Sequence, residues 1–560
     1  MDKLRLYVWI ALAALLYVGY MMWQKDYPPP PVPVASVAAQ NTPTSSLPPL
    51  PGEATAPPPA AIPAATTSVP TPKVEEPAVK AQKITVRTDV LDLSISLQGG
   101  ELDRADLLKY PLSKDQSDKY VRLFDNTAES YFLARTGLRA ADEQLAPSHQ
   151  AIYSSAATSY QLTDGQDTLV VQLNWTNGQG IDVIKTYTFE RGNYAIDVRY
   201  EVENKSPTEW SAASYVQFAR RQPVLESSIL QAESYAFTGP SVYDGKKKQN
   251  LKLDDDENKK FHGTFTGGWL AAMQHHFVAA AVPKADQAYD YQLNIESPHQ
   301  FTFTYRGPLV AVAPGSKGEF REALFVGPKL HSQLAPLGSE LELTVDYGML
   351  TILAGPLFWL LAQGYNLLGN WGWSIIAVTL LIKLAFYKLT EASGKSMAKM
   401  REMAPRLKAL QERYKDDREQ LGRATMEFYK REKINPLAGC LPMLIQMPVF
   451  MAFYWAILNS AEMRQAPFIG YLTDLSSRDP YFILPVILGV ANFMQFKLNP
   501  APTDPVQAKV MMMMPILMTG MMVLFPSGLV LYWITNTGLS ILQQWHINRV
   551  VAAAAIAAKT

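Results

Sequence analysis

Two hydrophobic periodicities divide this chain. From about Ile84 to Asp346, short runs alternate apolar and polar residues between turn signals: Val90–Leu97, Thr168–Asn174, Ile181–Glu190, Tyr194–Glu203, Gln300–Arg306 and Leu341–Val345. Period-two alternation puts one face of a strand inward, and many such runs predict a large, mostly antiparallel β-sandwich. The rest is dominated by long apolar runs. Leu6–Trp23 is the first, followed after the β region by spans at 371–389, 436–459, 480–497, 508–525 and 526–546. Each approaches the ~20 apolar residues that cross a bilayer as a helix. Leu353–Leu368 carries Pro356, Gln363 and Asn366 and reads as an amphipathic helix lying on the interface. The expected fold class is a membrane α-helical bundle of six transmembrane helices plus an all-β sandwich domain.

Boundaries follow from these changes of pattern. Residues 1–26 form an N-terminal transmembrane anchor, with Lys3 and Arg5 before the apolar run and no small-residue cleavage site after it. Residues 27–82 are rich in Pro and Ala and form an extended linker. The β-sandwich occupies 83–350, the interfacial helix 351–370, the helical core 371–549 with a charged helical hairpin at 390–434, and a short tail 550–560. The stretch 388–433 holds thirteen Lys and Arg, whereas the loop 460–479 holds only Arg464 and Arg478. The positive-inside rule puts the first in the cytoplasm and the second outside, which leaves both termini cytoplasmic and the β domain outside.

Within the apolar spans one charge stands out. Lys383 lies ten residues beyond Trp373, about 15 Å along a helix and near the middle of a ~30 Å hydrocarbon layer. An ammonium there costs about 2.5–3.5 kcal/mol on insertion scales. No acidic residue lies in any of the spans to neutralise it. Two readings stay open. The lysine stem can snorkel towards the cytoplasmic edge marked by Lys388. Alternatively, Thr379, Lys383 and Tyr387, at i, i+4 and i+8, form a polar stripe that lines a wet cavity.

Further polar positions fall into stripes: Tyr532, Asn536, Ser540 and Gln543 on the last span, Asn492, Gln495 and Asn499 on the fourth, and Gln446 between Pro442 and Pro448 on the third. Polar groups facing lipid are costly, so these face one another, either bordering a cavity with Lys383 or as helix–helix hydrogen bonds. Met397, Met400 and Met403 recur at helical spacing on the first arm of the cytoplasmic hairpin. They offer a soft partner-binding face or bury one arm against the other.

Composition narrows the function classes. Fifty-one basic and fifty-one acidic residues give no net charge, which argues against nucleic acid as a direct partner. The single cysteine, Cys440, sits inside an apolar span and reads as a small buried residue. The seven histidines are scattered, and His275-His276, read as part of a strand, would point to opposite faces. No catalytic triad, P-loop or dinucleotide fingerprint is present, and no cofactor or metal is expected.

Several motifs occur together: Ser396-Met397-Ala398-Lys399-Met400, Asn435-Pro436-Leu437-Ala438-Gly439-Cys440, Leu444-Ile445-Gln446-Met447-Pro448-Val449-Phe450, Arg464-Gln465-Ala466-Pro467-Phe468 and Phe525-Pro526-Ser527-Gly528-Leu529-Val530-Leu531-Tyr532. In combination they resemble the YidC membrane protein insertases, in the Gram-negative form with a large periplasmic domain. The resemblance implies a non-enzymatic insertase of the bacterial inner membrane. Five of its six helices would form a hydrophilic groove open to the cytoplasm and to lipid. It implies a positive groove residue at Lys383, where the family commonly has arginine, and groove roles for Thr379, Gln446, Met447, Phe450, Tyr532 and Trp533. Lysine keeps the charge but loses the two-pronged guanidinium. The implied partners are nascent membrane proteins, the Sec translocon with its accessory subunits, ribosomes or targeting factors, and the lipid bilayer. Two other classes fit parts of the chain. A secondary transporter would use a buried charge but show repeated halves. A membrane-tethered periplasmic carbohydrate-binding protein would explain only the β domain.

Overall fold

The computed structural model describes residues 82–557 except 115, 128, 143–144, 224–235, 415–416, 433–440 and 499–504. The expected anchor at 1–26, nearly all of the linker, Cys440 and Asn499 lie outside the described residues.

The alternating region folds into two packed sheets of eleven and nine strands. In the nine-stranded sheet, Thr168–Thr176, Ile181–Glu190, Ala195–Asn204 and Lys317–Pro328 are consecutive antiparallel neighbours. Ile181–Glu190 buries every second residue, from Ile181 to Phe189. In the facing sheet, Trp210–Arg221 pairs with Phe132–Arg139 on one side and Gln300–Arg306 on the other. Among the named strands one pairing is parallel, Lys83–Arg87 with Ser159–Gln161.

Two buried charged groups are bonded across the sandwich. Lys185 is fully buried, and its ammonium donates to the carbonyls of Gly99, Gly100 and Thr136 at 2.9, 3.2 and 3.2 Å. Burial pushes its pKa down to about 7. Glu322, also fully buried, accepts a 2.5 Å hydrogen bond from the Tyr305 hydroxyl, and burial pushes its carboxyl up to about 7.

One expected strand is absent. Leu341–Thr344 is a 3-10 turn, entered through Ser339 and Glu340 in left-handed conformations (φ 48 and 52°). Leu341 and Thr344 are its buried positions, and the Thr344 hydroxyl bonds the Leu341 carbonyl at 2.7 Å. The apolar spacing that looked like alternation is therefore i, i+3. His275 and His276 are likewise outside any strand: they lie in a turn with their rings stacked at 3.9 Å rather than on opposite faces.

Beyond a single helical turn at His331–Leu334, eight longer helices follow the sandwich among the described residues: α1 Thr351–Leu368, α2 Trp371–Ala385, α3 Tyr387–Arg413, α4 Arg418–Arg431, α5 Leu441–Asn459, α6 Ile483–Leu498, α7 Pro505–Met522 and α8 Ser527–Ala557. α8 packs against α2, α3 and α6, and α1 packs against α2 and α5. Ala354, Leu357, Phe358 and Leu361 of α1 are buried, while Ile352, Trp359 and Leu367 on its other side are exposed. Among the described residues no single helix is both long and apolar enough to cross a membrane. α2 and the first part of α3 meet that test only as a pair, and they are bent by 69°. The span expected to be continuous over 371–389 therefore breaks at Phe386.

The sandwich is tied to the helices on the side of the loop 460–479. The Arg464 guanidinium donates to the carbonyls of Pro111 (3.1 Å) and Leu112 (3.2 Å) and lies over the Phe277 ring. Lys114 donates to the Thr473 carbonyl, His276 bonds the Leu458 carbonyl at 2.8 Å, and Glu462 accepts from the His331 backbone.

The raised Glu322 carboxyl has a sign that can be worked out. Between its ordinary value near 4.5 and about 7, the folded state holds a proton that the unfolded state has released. Stability is therefore lost as pH rises through that window, on the order of 3 kcal/mol in the limit. The buried His149 and His276, held down to about 4 by burial, act in the opposite direction below pH 6.5, so the Glu322 contribution is read as a difference. In denaturation of the detergent-solubilised chain followed by β-sheet circular dichroism, the stability of the parent relative to E322Q should fall between pH 5 and 7.5.

Candidate functional site: a lysine at the bend between two helices

α2 starts on a well-formed cap: the Asn370 side chain accepts from the backbone N–H groups of Gly372 and Trp373. Fifteen residues later it ends at Ala385, which makes it about 22 Å long. Lys383 is thus in its last turn, not midway along an unbroken span. A helix C-terminus favours a cation.

The Lys383 ammonium donates to the Ser540 hydroxyl at 2.7 Å, and that hydroxyl donates to the Asn536 carbonyl at 2.8 Å. Lys383 forms no ion pair among the described residues. It is partly buried, at the edge of a pocket of about 30 Å³ lined by Ile382, Lys383, Phe386, Leu389, Thr390, Gln446 and Val449. That volume suits about two water molecules.

The other expected residues divide. Gln446 lines the pocket and donates its side-chain amide to the Tyr532 hydroxyl. Tyr532 is buried and stacks on Phe453 at 4.1 Å between ring centres. Phe450 is buried with its ring edge-on to Trp533 at 4.6 Å. Met447 is about half exposed. Asn536 contributes its backbone carbonyl through Ser540. Thr379 is buried, with its hydroxyl bonded to the Ile375 carbonyl at 2.6 Å, so it offers no free polar group. Asn492 and Gln495 are half-buried on α6 and do not line the pocket. Tyr387 lies beyond the break, which removes the straight stripe Thr379–Lys383–Tyr387.

One residue outside the sequence reading matters. The Thr390 hydroxyl accepts from the Gln543 amide at 2.8 Å and lies 3.0 Å from the carbonyls of both Phe386 and Tyr387. Nothing in its local sequence signals this role, because it depends on the bend.

The helix α3 rests on α8 as well as on α4. Met397, Met400 and Met403 are half-buried along it, while Ala398 and Leu407 are buried. Gly394 sits at the closest approach, where a Cβ would fall 2.7 Å from Ile547 Cδ1 and 2.9 Å from Gln544 Oε1.

Comparison with known proteins identifies the lineage. Residues 83–360 match the YidC periplasmic domain, and residues 363–554 match the 60Kd inner membrane protein family. The chain is 42% identical to the membrane protein insertase YidC of Nitrosococcus oceani, over 98% of this chain and 99% of that protein. The chain belongs to the YidC family of membrane protein insertases. It is also 44% identical to the Pseudomonas fluorescens YidC, covering 99% of both. A solved YidC insertase structure with its first transmembrane domain resolved aligns at TM-score 0.39 and 19% identity, covering 82% of this chain and 92% of that one. The sandwich is thus the YidC periplasmic domain, and the family is one of inner-membrane insertases rather than enzymes.

G394L should wedge α3 away from α8. Overpacking of this kind costs roughly 1–3 kcal/mol, and the thermal midpoint of the solubilised chain should fall, with G394A milder.

Proposed function

We propose that this chain inserts nascent membrane proteins by pairing the Lys383 ammonium transiently with a carboxylate on the incoming hydrophilic segment, while the substrate's apolar helix leaves sideways into lipid. The observation that carries the reading is a lysine at the edge of a small polar pocket, held by a neutral hydroxyl with no carboxylate against it among the described residues. A serine hydroxyl supplies one hydrogen bond and no counter-charge, so an arriving carboxylate has more to offer the ammonium. Gln446 and Tyr532 border the same space, with Phe450 and Trp533 packed behind them. We assign Met447 and Thr379 to the groove or its packing on the family resemblance, and Asn492, Gln495 and Asn536 on their place in the polar stripes.

In this reading the chain crosses the inner membrane six times. Five spans form the core, both termini are cytoplasmic, and α1 lies on the periplasmic interface. The exposed apolar side of α1 and the crowding of Lys and Arg in 388–433 support this arrangement. The sandwich bonded to the loop 460–479 is consistent with both lying outside. Moving one negative charge outward gains about 2.3 kcal/mol per 100 mV of membrane potential, enough to assist a short acidic tail without a nucleotide. The half-buried Met397, Met400 and Met403 suit contact with the Sec translocon and its accessory subunits, a ribosome or a targeting factor.

Insertion of a single-span substrate with an acidic tail into vesicles tests the charge. K383R should retain insertion, because the positive charge survives, whereas K383A and K383E should lose most of it. Full insertion with K383A would leave only pocket shape and polarity to explain activity.

A further inference from the structure

The break between α2 and α3 has no local cause. No proline or glycine lies between Lys383 and Ser393, and kinks above about 20° normally need one of these, a bulge, or a side chain entering the backbone ladder. Breaking a helix inside an apolar layer also frees backbone carbonyls that lipid cannot satisfy. Here the Phe386 carbonyl keeps a helical bond from the Thr390 N–H at 3.0 Å, and polar side chains add further bonds next to the break. Thr390 places its hydroxyl 3.0 Å from both the Phe386 and Tyr387 carbonyls. Gln543 of α8 holds Thr390 at 2.8 Å and reaches within 3.4 Å of the Tyr387 carbonyl itself. Three residues earlier on the same side of α8, Ser540 receives the Lys383 ammonium. α8 therefore grips the chain on both sides of Phe386.

The pocket lies inside this bend, with Lys383 and Thr390 contributed from opposite sides of the break. A straight α2–α3 helix would separate them, and it would let the lysine stem extend along the helix towards the cytoplasmic edge.

We infer that Thr390 and Gln543 are positioning residues: they pin the bend at Phe386 and thereby hold the Lys383 ammonium on Ser540 at the pocket, instead of releasing it towards the aqueous interface. This rests on the carboxylate-pairing role of Lys383 for its functional consequence, but the pin itself is a separate structural claim. Neither residue need touch the substrate. Losing one hydrogen bond of ordinary strength changes the population of a two-state element by roughly fivefold.

The pin can be read without activity. In a C440A background, W373C and K399C place spin labels thirteen residues on either side of Phe386. At 1.5 Å per residue, these positions are roughly 39 Å apart along a straight helix and about 32 Å apart with the observed 69° bend. Pulsed electron resonance should give the shorter separation for the parent chain. T390V and Q543L should move a substantial population to the longer one, and T390S, which keeps the hydroxyl, should restore the shorter. T390V and Q543L, without labels, should lower insertion of an acidic-tailed substrate roughly fivefold, and Q543L, whose residue does not line the pocket, should leave a substrate with an uncharged tail nearly unaffected. An unchanged distance in both T390V and Q543L would overturn the pin. A lengthened distance with unchanged acidic-tail insertion would overturn its link to Lys383. Q543L leaves α2 and α3 chemically intact and carries the test should T390V fail to assemble. Should K383A insert the acidic substrate normally, the charge reading fails while the distance result still decides the pin.

Discussion

The helical half of this protein is organised around a cation within an apolar run. Lys383 ends α2 with its ammonium on Ser540, and no carboxylate answers it among the described residues. A charge in an apolar helix is costly, so the surroundings must keep it wet or held. α8 does the holding, through Ser540 before the break and Gln543 after it. The bend opens a pocket with room for water. The neutral partner is what leaves the charge available. A buried salt bridge would have stabilised the ammonium better but occupied it.

The rest of the molecule gives this arrangement a fixed frame. Outside, the sandwich is bonded to the 460–479 loop through Arg464 and Lys114, and to the end of α5 through His276. The same loop reaches the start of α8, where Ser527 and Gly528 donate backbone hydrogen bonds to the carbonyls of Ser477 and Leu475 at 2.7 and 2.9 Å. The helix that carries Ser540 and Gln543 is therefore anchored at its outer end by the loop that the sandwich grips. At the opposite end Gly394 lets α3 lie directly on α8.

How much of this was legible in the sequence depended on whether local pattern or tertiary contact decided each feature. Strict alternation with one buried face made Ile181–Glu190 readable to the residue, and Gln300–Arg306, buried on both faces, was bounded as expected. Leu341–Val345 was misread as a strand because five residues cannot separate period two from i, i+3. The candidate site was half legible. A charged or polar residue within an apolar run marks itself, so Lys383, Gln446, Tyr532 and Ser540 stood out. The bend did not, because it is held by Thr390 and Gln543 from helices distant in sequence, with no proline or glycine to announce it. That omission moved Lys383 from an apparent mid-span position to the last turn of α2. It also dissolved a stripe in which Thr379, bonded to its own helix, had seemed a groove residue.

The central claim is that charge complementarity at Lys383, and not pocket polarity alone, drives recognition of the substrate tail. A charge exchange across the pair tests it most directly. Wild-type and K383E chains are each given single-span substrates whose short tails carry either aspartates or lysines, in vesicles without a membrane potential so that the field favours neither sign. The account predicts that the wild type prefers the acidic tail and that K383E loses it while gaining insertion of the basic one. Equal handling of both tails by both chains would contradict it.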